Sequence, residues 1–311
     1  MAVIRSAVFF FVASLLLAQG DDIYQRLKTL LGDDAVRQLQ AKNFSLVESK
    51  LAAINPANDG ERAEALALSG AVSFLAGNMA QAVTAFQASE KIQRARDADR
   101  FTLAMALLKT SNEAEARGIL TDLARAHPST AIYWYWLGRI DYFQRRYGEA
   151  AGNLQKAVDL DPQAARAWDS LGLAWDMQGR LDQARGFFEK AVVLNRAQTQ
   201  PSPWPPHNLG YLLLRLDDAA AAEQCLRESL RYDAKLARTH YYLARVLEKE
   251  DRANDAIAEY QLAIAGDAAS ADACYSLALL YRRLHRDTDS SAMFAEYRKR
   301  RNSGTAADPL Q

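Results

Sequence analysis

Small, apolar and aromatic residues recur along this chain with a period of 34 residues. The register is set by taking the first position of successive segments at Ala63, Asp97, Ala131, Ala165, Pro203, Ala237 and Ala271, with four additional residues before Pro203. Position 24 of each segment is then large: Phe86, Leu120, Leu154, Phe188, Leu226, Tyr260 and Phe294. Positions 8 and 20 are Gly, Ala or Ser throughout. A fixed period of this length predicts a solenoid made of one repeated packing unit.

The fourth segment carries the fullest form of the pattern. It contains Trp168-x2-Leu171-Gly172-x2-Trp175, followed by Gly179, Ala184, Phe188 and Ala191. This arrangement resembles the tetratricopeptide repeat, in which each repeat is a pair of antiparallel helices. The resemblance implies an all-α fold, an α-solenoid that winds as a right-handed superhelix of about seven helix-turn-helix repeats. It also accounts for positions 8 and 20, because larger side chains would push closely crossing helices apart.

The repeats and their flanks predict the domain boundaries. A signal peptide takes residues 1–20, an N-terminal helical cap takes 21–62, and a disordered tail takes 305–311. The repeats span 63–304, as 63–96, 97–130, 131–164, 165–198, an insertion at 199–202, 203–236, 237–270 and 271–304. Helical apolar spacing within the cap predicts helices over Asp22–Gln40 and Phe44–Ile54. Such a helix pair would cover the exposed end of the stack.

The first twenty residues have the features of an export signal. Arg5 precedes an apolar run from Ala7 to Leu17, and Ala18-Gln19-Gly20 offers a small-x-small cleavage site. These features predict an exported protein, periplasmic or secreted and expected from a bacterium, with no membrane span after cleavage. The alternative is an uncleaved N-terminal anchor, for which the apolar run is short, since a bilayer requires about 20 residues.

Charge and cysteine content add two expectations. The chain has 38 basic and 38 acidic residues, so no net charge would draw it to nucleic acid or to an anionic membrane. Cys225 and Cys274 fall two repeats apart. Because non-adjacent repeats of a solenoid do not touch, we expect two free thiols, with Cys274 in a core position.

The sequence gives no pattern typical of catalysis. The four histidines, His127, His207, His240 and His285, fall in four different repeats, without metal-ligand spacing. Phosphate-binding loops, dinucleotide fingerprints and nucleophile elbows do not occur in the sequence. We therefore expect a protein that is not an enzyme and that has no cofactor.

The resemblance implies that a peptide or helix binds the concave surface, lined by positions 2, 5, 9, 12 and 13 of each first helix. Tyrosine and arginine recur there, and both often anchor interfaces. The expected groove residues are Tyr135, Arg139, Tyr142, Trp204, His207, Tyr211, Arg215, Tyr241, Arg245, Lys249, Tyr275 and Arg282. The alternative is that these side chains are simply the solvated face of amphipathic helices.

The last three repeats have a charge bias at these positions. The basic residues are Arg215, Arg238, Arg245, Lys249, Arg282 and Arg283, and the acidic ones are Glu248 and Asp272. This excess favours an acidic or carboxylate-bearing peptide, because arginine can grip a carboxylate with two parallel hydrogen bonds. The segment Thr199–Pro206, with four prolines, is expected to be a stiff spacer. Alternatively, its Trp204 lines the groove.

Together these features predict a non-catalytic protein–protein interaction scaffold of the cell envelope, with a protein or peptide partner and an undetermined oligomeric state. The alternative is an accessory or regulatory subunit of an envelope enzyme or of a secretion or assembly machine. An enzyme with a site grafted onto the solenoid is a third class, which the motif search disfavours.

Overall fold

The computed structural model describes residues 22–266 and 271–302, and the predicted signal peptide (1–20) and tail (305–311) lie outside this part. The described residues form seventeen helices and no strand. The helices are α1 (22–31), α2 (Asp33–Gln40), α3 (Phe44–Ala52), α4 (Asp59–Leu75), α5 (Met79–Ile92), α6 (Asp97–Lys109), α7 (Glu113–Ala126), α8 (Ala131–Phe143), α9 (Tyr147–Leu160), α10 (Ala165–Asp176), α11 (Leu181–Arg196), α12 (Trp204–Arg215), α13 (Ala219–Tyr232), α14 (Ala237–Lys249), α15 (Ala253–Gly266), α16 (Ala271–Arg283) and α17 (Asp287–Asn302). The predicted all-α fold is confirmed.

The helix boundaries follow the 34-residue register closely. Five helices begin at position 1 of a segment, namely α6, α8, α10, α14 and α16. Helix α12 begins at Trp204, one residue after position 1, and α4 begins at Asp59, four residues before it. Each repeat is therefore a first helix and a second helix, and α4–α5 through α16–α17 are the seven pairs.

The chain divides after Ile140 into two compact units. In the first unit, consecutive helices from α2 to α7 pack against one another, and α4 also contacts α6. In the second unit the same holds for consecutive helices from α9 to α17, with additional contacts of α10 with α12 and of α12 with α14. A continuous apolar core runs through the second unit, with Phe188, Leu226, Tyr260 and Leu277 among its fully buried members.

Close contact between positions 8 and 24 explains why position 8 is small. A β carbon on Gly172 would lie 2.6 Å from the ring of Phe188, and one on Gly210 would lie 2.7 Å from Leu226. Both distances are shorter than real β carbons tolerate. In the last repeat Ser290, at position 20, donates a hydrogen bond to the carbonyl of Ala278 at position 8, at 2.9 Å. The expectation of close helix crossing is thus met by direct contact.

The turn inside every repeat has the same backbone bend. Position 15 has a positive φ, between 56° and 84°, in all seven repeats. Glycine occupies it only twice, as Gly77 and Gly179; the other five residues are Ser111, Arg145, Asp217, Asp251 and His285. A left-handed residue reverses the chain direction between the two helices, and the packing of the pair holds non-glycine residues in that conformation.

The N-terminal cap differs from the prediction in one respect. A single helical segment was expected over Asp22–Gln40, but it is divided into α1 and α2 at Gly32, whose φ is 81°. Glycine adopts this left-handed conformation without steric cost, so it ends one helix and lets the next begin at once. Helix α3 covers Phe44–Ala52, close to the expected Phe44–Ile54.

The Pro-rich segment Thr199–Pro206 is not a stiff spacer over its whole length, because α12 begins at Trp204. Pro205 and Pro206 lie in the first turn of α12 rather than in an extended spacer. Proline is tolerated there because the first amide groups of a helix have no acceptor within the helix. The buried side chain of Asn195 fixes the remaining segment, since it both donates to and accepts from the backbone of Ser202, each at 2.8 Å.

The two cysteines are free thiols, as the sequence predicts. Cys274 is fully buried at position 4 of the last repeat, and Cys225 is partly buried on α13. Burial raises the pKa of the Cys225 thiol to about 11, so this thiol is protonated and a poor nucleophile near neutral pH.

Candidate functional site

A row of tyrosines joins the first helices of repeats five and six. The ring of Tyr211 on α12 lies 4.5 Å from that of Tyr242 on α14, and Tyr242 lies 5.2 Å from its neighbour Tyr241. Tyr241 in turn lies 6.0 Å from the buried ring of Tyr260 on α15. Burial raises the pKa of Tyr242 to about 12, so its hydroxyl remains a neutral hydrogen-bonding group. We call Tyr211, Tyr241 and Tyr242 the tyrosine row.

Two arginines lie over this row. The guanidinium of Arg215 is 5.4 Å from the centre of the Tyr211 ring, and that of Arg245 is 5.9 Å from the centre of the Tyr241 ring. Each arginine follows its tyrosine by four residues, so the helical period alone brings the two side chains together. Stacking of this kind contributes about 0.5–1 kcal/mol at an exposed site and keeps the guanidinium edge available for other contacts.

The charge excess inferred from the sequence is smaller in the structure. Arg215 donates to the buried carboxylate of Asp176 at 2.5 Å, and Lys249 donates to Asp217 at 2.6 Å. Arg283 lies 3.2 Å from Glu248. Three of the six basic residues are therefore neutralised by carboxylates. The sequence count missed this because Asp176 belongs to the preceding repeat and Asp217 lies in a turn.

Arg245 and Arg282 are different, because neither forms an ion pair with a carboxylate of the described residues. Both side chains are exposed, and each lies over an aromatic ring, Arg245 over Tyr241 and Arg282 over Phe294, at 5.9 Å in both cases. These guanidinium groups can still bind a carboxylate from outside the chain by donating hydrogen bonds to it. They are the strongest candidates for an anion-binding role in the second unit.

The predicted groove residue His207 is not at the surface. Its side chain is 3% exposed, and its Nδ1 lies 2.8 Å from the hydroxyl of Thr239. Burial lowers the pKa of His207 to about 3, so the imidazole is neutral at physiological pH. Ser229 joins this cluster by donating to the carbonyl of Pro203 at 2.9 Å. His207 thus supports the start of α12 and is unable to contact a ligand directly.

Trp204 has the opposite environment. Its side chain is 41% exposed, and its ring meets that of His207 edge-on at 5.5 Å between centres. Since His207 also contacts Tyr242, at 5.6 Å, the buried imidazole links Trp204 to the tyrosine row. An exposed indole held in place by a buried partner is suited to anchor a ligand.

The last repeat carries a smaller aromatic group. Tyr275 is exposed, and its ring lies 5.9 Å from Phe294 and 5.2 Å from Tyr297, both on α17. Arg282 lies over Phe294. The predicted residues Tyr275 and Arg282 therefore do share one surface, although it is formed with the second helix of the repeat and not with the first helix alone.

The predicted residues of the third repeat do not all face solvent. Tyr135 is buried and accepts a hydrogen bond from Arg139 at 3.0 Å, so its ring cannot line an open groove. Tyr142, in the second unit, packs edge-on against Phe143 and Tyr147 at 5.6 Å each. The groove prediction was wrong for Tyr135 because its position in the repeat assigns it only to a face of its own helix. The position does not show how closely neighbouring helices cover that face.

Two residues on the first helices of repeats five and six make contacts at this surface but lie outside the positions expected to line the groove. Tyr242 completes the tyrosine row from position 6, which lies outside the expected stripe. Asn208, also at position 6, donates to both oxygens of Asp169 on α10, at 2.9 and 3.1 Å. The consecutive pair Tyr241-Tyr242 was the available signal, because two large aromatic residues in succession on a helix cannot both lie in a narrow core stripe.

No group of His, Cys, Asp and Glu side chains within the described part of the chain could hold a metal ion. Among the same residues, no helix has both the length and the apolar character needed to cross a membrane.

Comparisons with known proteins agree with the repeat pattern. Family models described as tetratricopeptide repeat match residues 101–142, 138–202 and 207–236. No curated protein sequence matches the chain. Many solved structures do, and three of them illustrate the likeness.

The first is the crystal structure of the APC/C hetero-tetramer Cut9–Hcn1, with a TM-score of 0.64 and 18% identity, covering 85% of this chain and 55% of that one. The second is PilF of Pseudomonas aeruginosa, with a TM-score of 0.58 and 21% identity, covering 74% of this chain and 99% of that one. The third is PilW, described as a type IV pilus biogenesis factor, with a TM-score of 0.58 and 17% identity, covering 64% and 91%.

At these identities the likeness to solved structures concerns the fold, an all-α solenoid of repeats. The matching family models, the sevenfold register and the direct contact between positions 8 and 24 point the same way. The chain therefore carries tetratricopeptide repeats within residues 101–202 and 207–236 and folds as an all-α solenoid of repeats.

Proposed function

We propose that this protein is a non-catalytic scaffold of the cell envelope that binds an extended, carboxylate-bearing peptide on the second unit. The peptide would cross the tyrosine row and place a carboxylate on Arg245, with Trp204 at one side. Tyr275 and Arg282 would offer a second contact of the same kind. The observation that carries the proposal is Arg245, which is exposed, stacked on Tyr241 and without a carboxylate partner among the described residues.

The aromatic and the arginine side chains would contribute differently to the free energy of binding. An exposed ion pair contributes about 0.2–1 kcal/mol, whereas large aromatic residues at an interface often account for about 2 kcal/mol or more each. The tyrosine row and Trp204 would therefore supply most of the affinity. The arginines would select ligands that carry carboxylates and fix their register.

The envelope location rests on the export signal inferred from residues 1–20. A second candidate role is that of an accessory or regulatory subunit of an envelope enzyme or of a secretion or assembly machine. PilW, whose fold this chain shares, is itself a type IV pilus biogenesis factor. The two roles differ in whether the captured partner is one protein with a short peptide motif or several subunits of one assembly.

The test is affinity capture from an envelope fraction with the protein and with an Arg245→Ala/Arg282→Ala variant. Both side chains are exposed, so we expect helical circular dichroism and thermal unfolding to stay unchanged. Partners retained by the native protein should be lost or reduced about tenfold with the variant. A Tyr241→Ala exchange is less suitable, because Tyr241 packs against the buried Tyr260 and its loss would also affect stability.

The matched control is Arg185→Ala/Arg227→Ala. These two arginines lie on second helices, and the side chain of each is 45% exposed. Each pairs with an acid one turn away on its own helix. The control should capture the same partners as the native protein. Equal capture by all three proteins would rule out Arg245 and Arg282 as the selective contacts.

A further inference from the structure

Helix α1 packs one face tightly against the first two repeats. Ile23, Arg26 and Leu27 are buried on that face. Arg26 donates to both oxygens of Glu64 on α4, at 2.6 and 3.2 Å, and to both oxygens of Asp99 on α6, at 2.9 Å each. Arg26 is 6% exposed and Asp99 is 4% exposed, so this ion pair is removed from solvent.

Part of the surface under α1 belongs to the stripe expected to line the groove, whereas Asp99 is at position 3, outside that stripe. Glu64 occupies position 2 of the first repeat, and Ala67, which lines the space beside Arg26, occupies position 5. Helices α4 and α6 are the first helices of repeats one and two. A helix of the chain itself thus lies where this family of folds leaves room for a partner.

The residues at these positions are also of a different kind from those in repeats five to seven. Positions 5, 9 and 12 of the first two repeats are apolar and buried: Ala67, Ala71, Phe74, Phe101, Met105 and Leu108. The corresponding residues of the later repeats include tyrosines and arginines that remain partly or fully exposed. Of this set, Ala67 lines the space beside Arg26 of α1, and Phe101 packs against Tyr133 on α8 at 5.5 Å between ring centres.

Helix α1 covers this surface only in part. A cleft of about 590 Å³ remains along it, bounded by Gln25, Arg26 and Thr29 on α1 and by Glu61, Gln93 and Arg94 on the other side. The helix is joined to α2 by one left-handed residue, Gly32. Because glycine tolerates a wide range of backbone angles, rotation at this one joint can change the position of α1 relative to α2.

We propose that this surface is a second binding site, for an amphipathic helix that carries an arginine, and that α1 is its built-in competitor. The arginine would lie between apolar residues three positions before it and one position after it, as Arg26 lies between Ile23 and Leu27. This site uses residues separate from those of the proposed peptide groove and stands independently of it.

The requirement for arginine follows from the two carboxylates. Removing α1 takes from Asp99 and Glu64 the one guanidinium that donates to both acids. A guanidinium can offer two parallel hydrogen bonds to each acid, as Arg26 does, whereas an ammonium group is a single point donor. A lysine at the same place should therefore substitute poorly.

Competition by α1 determines the affinity that a partner would show. A tethered segment is present at an effective concentration of about millimolar, so an external helix binds weakly until α1 is loosened. The measured affinity falls in proportion to the fraction of molecules in which the site is open. Loosening α1 should therefore tighten binding of a helix supplied separately.

The probe is a fluorescent peptide of residues 22–31, with capped ends, added to the full chain and to its Arg26→Ala variant. We expect the peptide to bind the variant at least about tenfold more tightly than the native protein, because the variant's own α1 has lost its bonds to Glu64 and Asp99. The same peptide with Arg26→Lys should lose about tenfold in affinity for the variant. A triple variant, Arg26→Ala/Glu64→Ala/Asp99→Ala, should lose the preference for arginine over lysine.

Equal and weak binding of the native peptide to both proteins would overturn the proposal, as would equal binding of the arginine and lysine peptides. If the variant fails to fold, hydrogen exchange on the native protein decides. The amides of 22–31 should then exchange at least about tenfold faster than those in the middle of α4 and α6, which reports opening of α1 alone. Exchange of α1 only together with α4 and α6 would contradict a displaceable helix.

Discussion

The ring of Phe188 fills the space that a β carbon on Gly172 would need, so the two helices of the fourth repeat approach closely there. The ring of Phe188 is fully buried, so it cannot move away from an added methyl group. The same relation holds between Gly210 and Leu226. The repeat pattern thus has a steric cause at these two pairs: a large side chain at position 24 leaves no room for a side chain at position 8.

We expect Gly172→Ala to destabilise the protein, although alanine favours helices more than glycine does. The added β carbon overlaps the Phe188 ring, and overpacking of a core costs about 1–3 kcal/mol. The gain in helix propensity, about 0.5–1 kcal/mol, offsets only part of that. The midpoint of urea unfolding should therefore fall.

Gly186→Ala is the matched control for this prediction. Gly186 lies in the middle of α11, is exposed, and has nothing within 4 Å of an added β carbon. This exchange should raise the free energy of unfolding by the gain in helix propensity alone, about 0.5–1 kcal/mol, and so raise the urea midpoint. Changes of the same sign for the two glycines would contradict the steric explanation.

Among the elements, the Pro-rich insertion depends on one side chain. Asn195 is buried near the end of α11 and forms two hydrogen bonds with the backbone of Ser202. The hydroxyl of Ser229 then holds Pro203, directly before α12. These bonds hold the chain directly before α12, which itself packs against α10, α11, α13 and α14.

We predict that Asn195→Ala loosens the insertion and leaves the helices intact. Losing two buried hydrogen bonds to the backbone should cost about 1–3 kcal/mol. Hydrogen exchange at 197–203 should rise, while that within α10 and α13 stays near the native level. The exposed Gln198→Ala is the control and should change neither, and unaltered exchange in the Asn195 variant would show that the prolines alone fix the segment.

For the molecule as a whole, stability is expected to be a sum over neighbouring repeats. Within the second unit the helices pack against their neighbours in sequence and against the next first helix, as α10 does with α12. In such an arrangement a local defect has few routes to distant repeats.

The Gly172→Ala exchange should therefore have a local effect on hydrogen exchange. We expect faster exchange in α10 and α11 and a smaller increase in α12, because α12 contacts both of them. Helices α16 and α17 should exchange as in the native protein. A uniform increase across the whole second unit would indicate that it unfolds as one cooperative block.

The sequence by itself determined the repeat, its period and the residues that fill its core. This was possible because the contact between positions 8 and 24 lies within one repeat, so the same small and large residues must recur wherever the helix pair recurs. Gly172 with Phe188 and Gly210 with Leu226 are two instances. The core position of Cys274 followed from the same register.

Only the tertiary structure decided which side chains of the expected groove are available. Arg215 pairs with Asp176 of the preceding repeat, and the buried His207 contacts Thr239 of the next repeat. Arg26 of the cap pairs with Asp99 of the second repeat. Each of these contacts joins residues of different repeats or of the cap. A periodic pattern assigns a residue to a face of its own helix. What covers that face depends on partners that the period does not specify, and those partners decide whether an arginine is neutralised or remains free to bind.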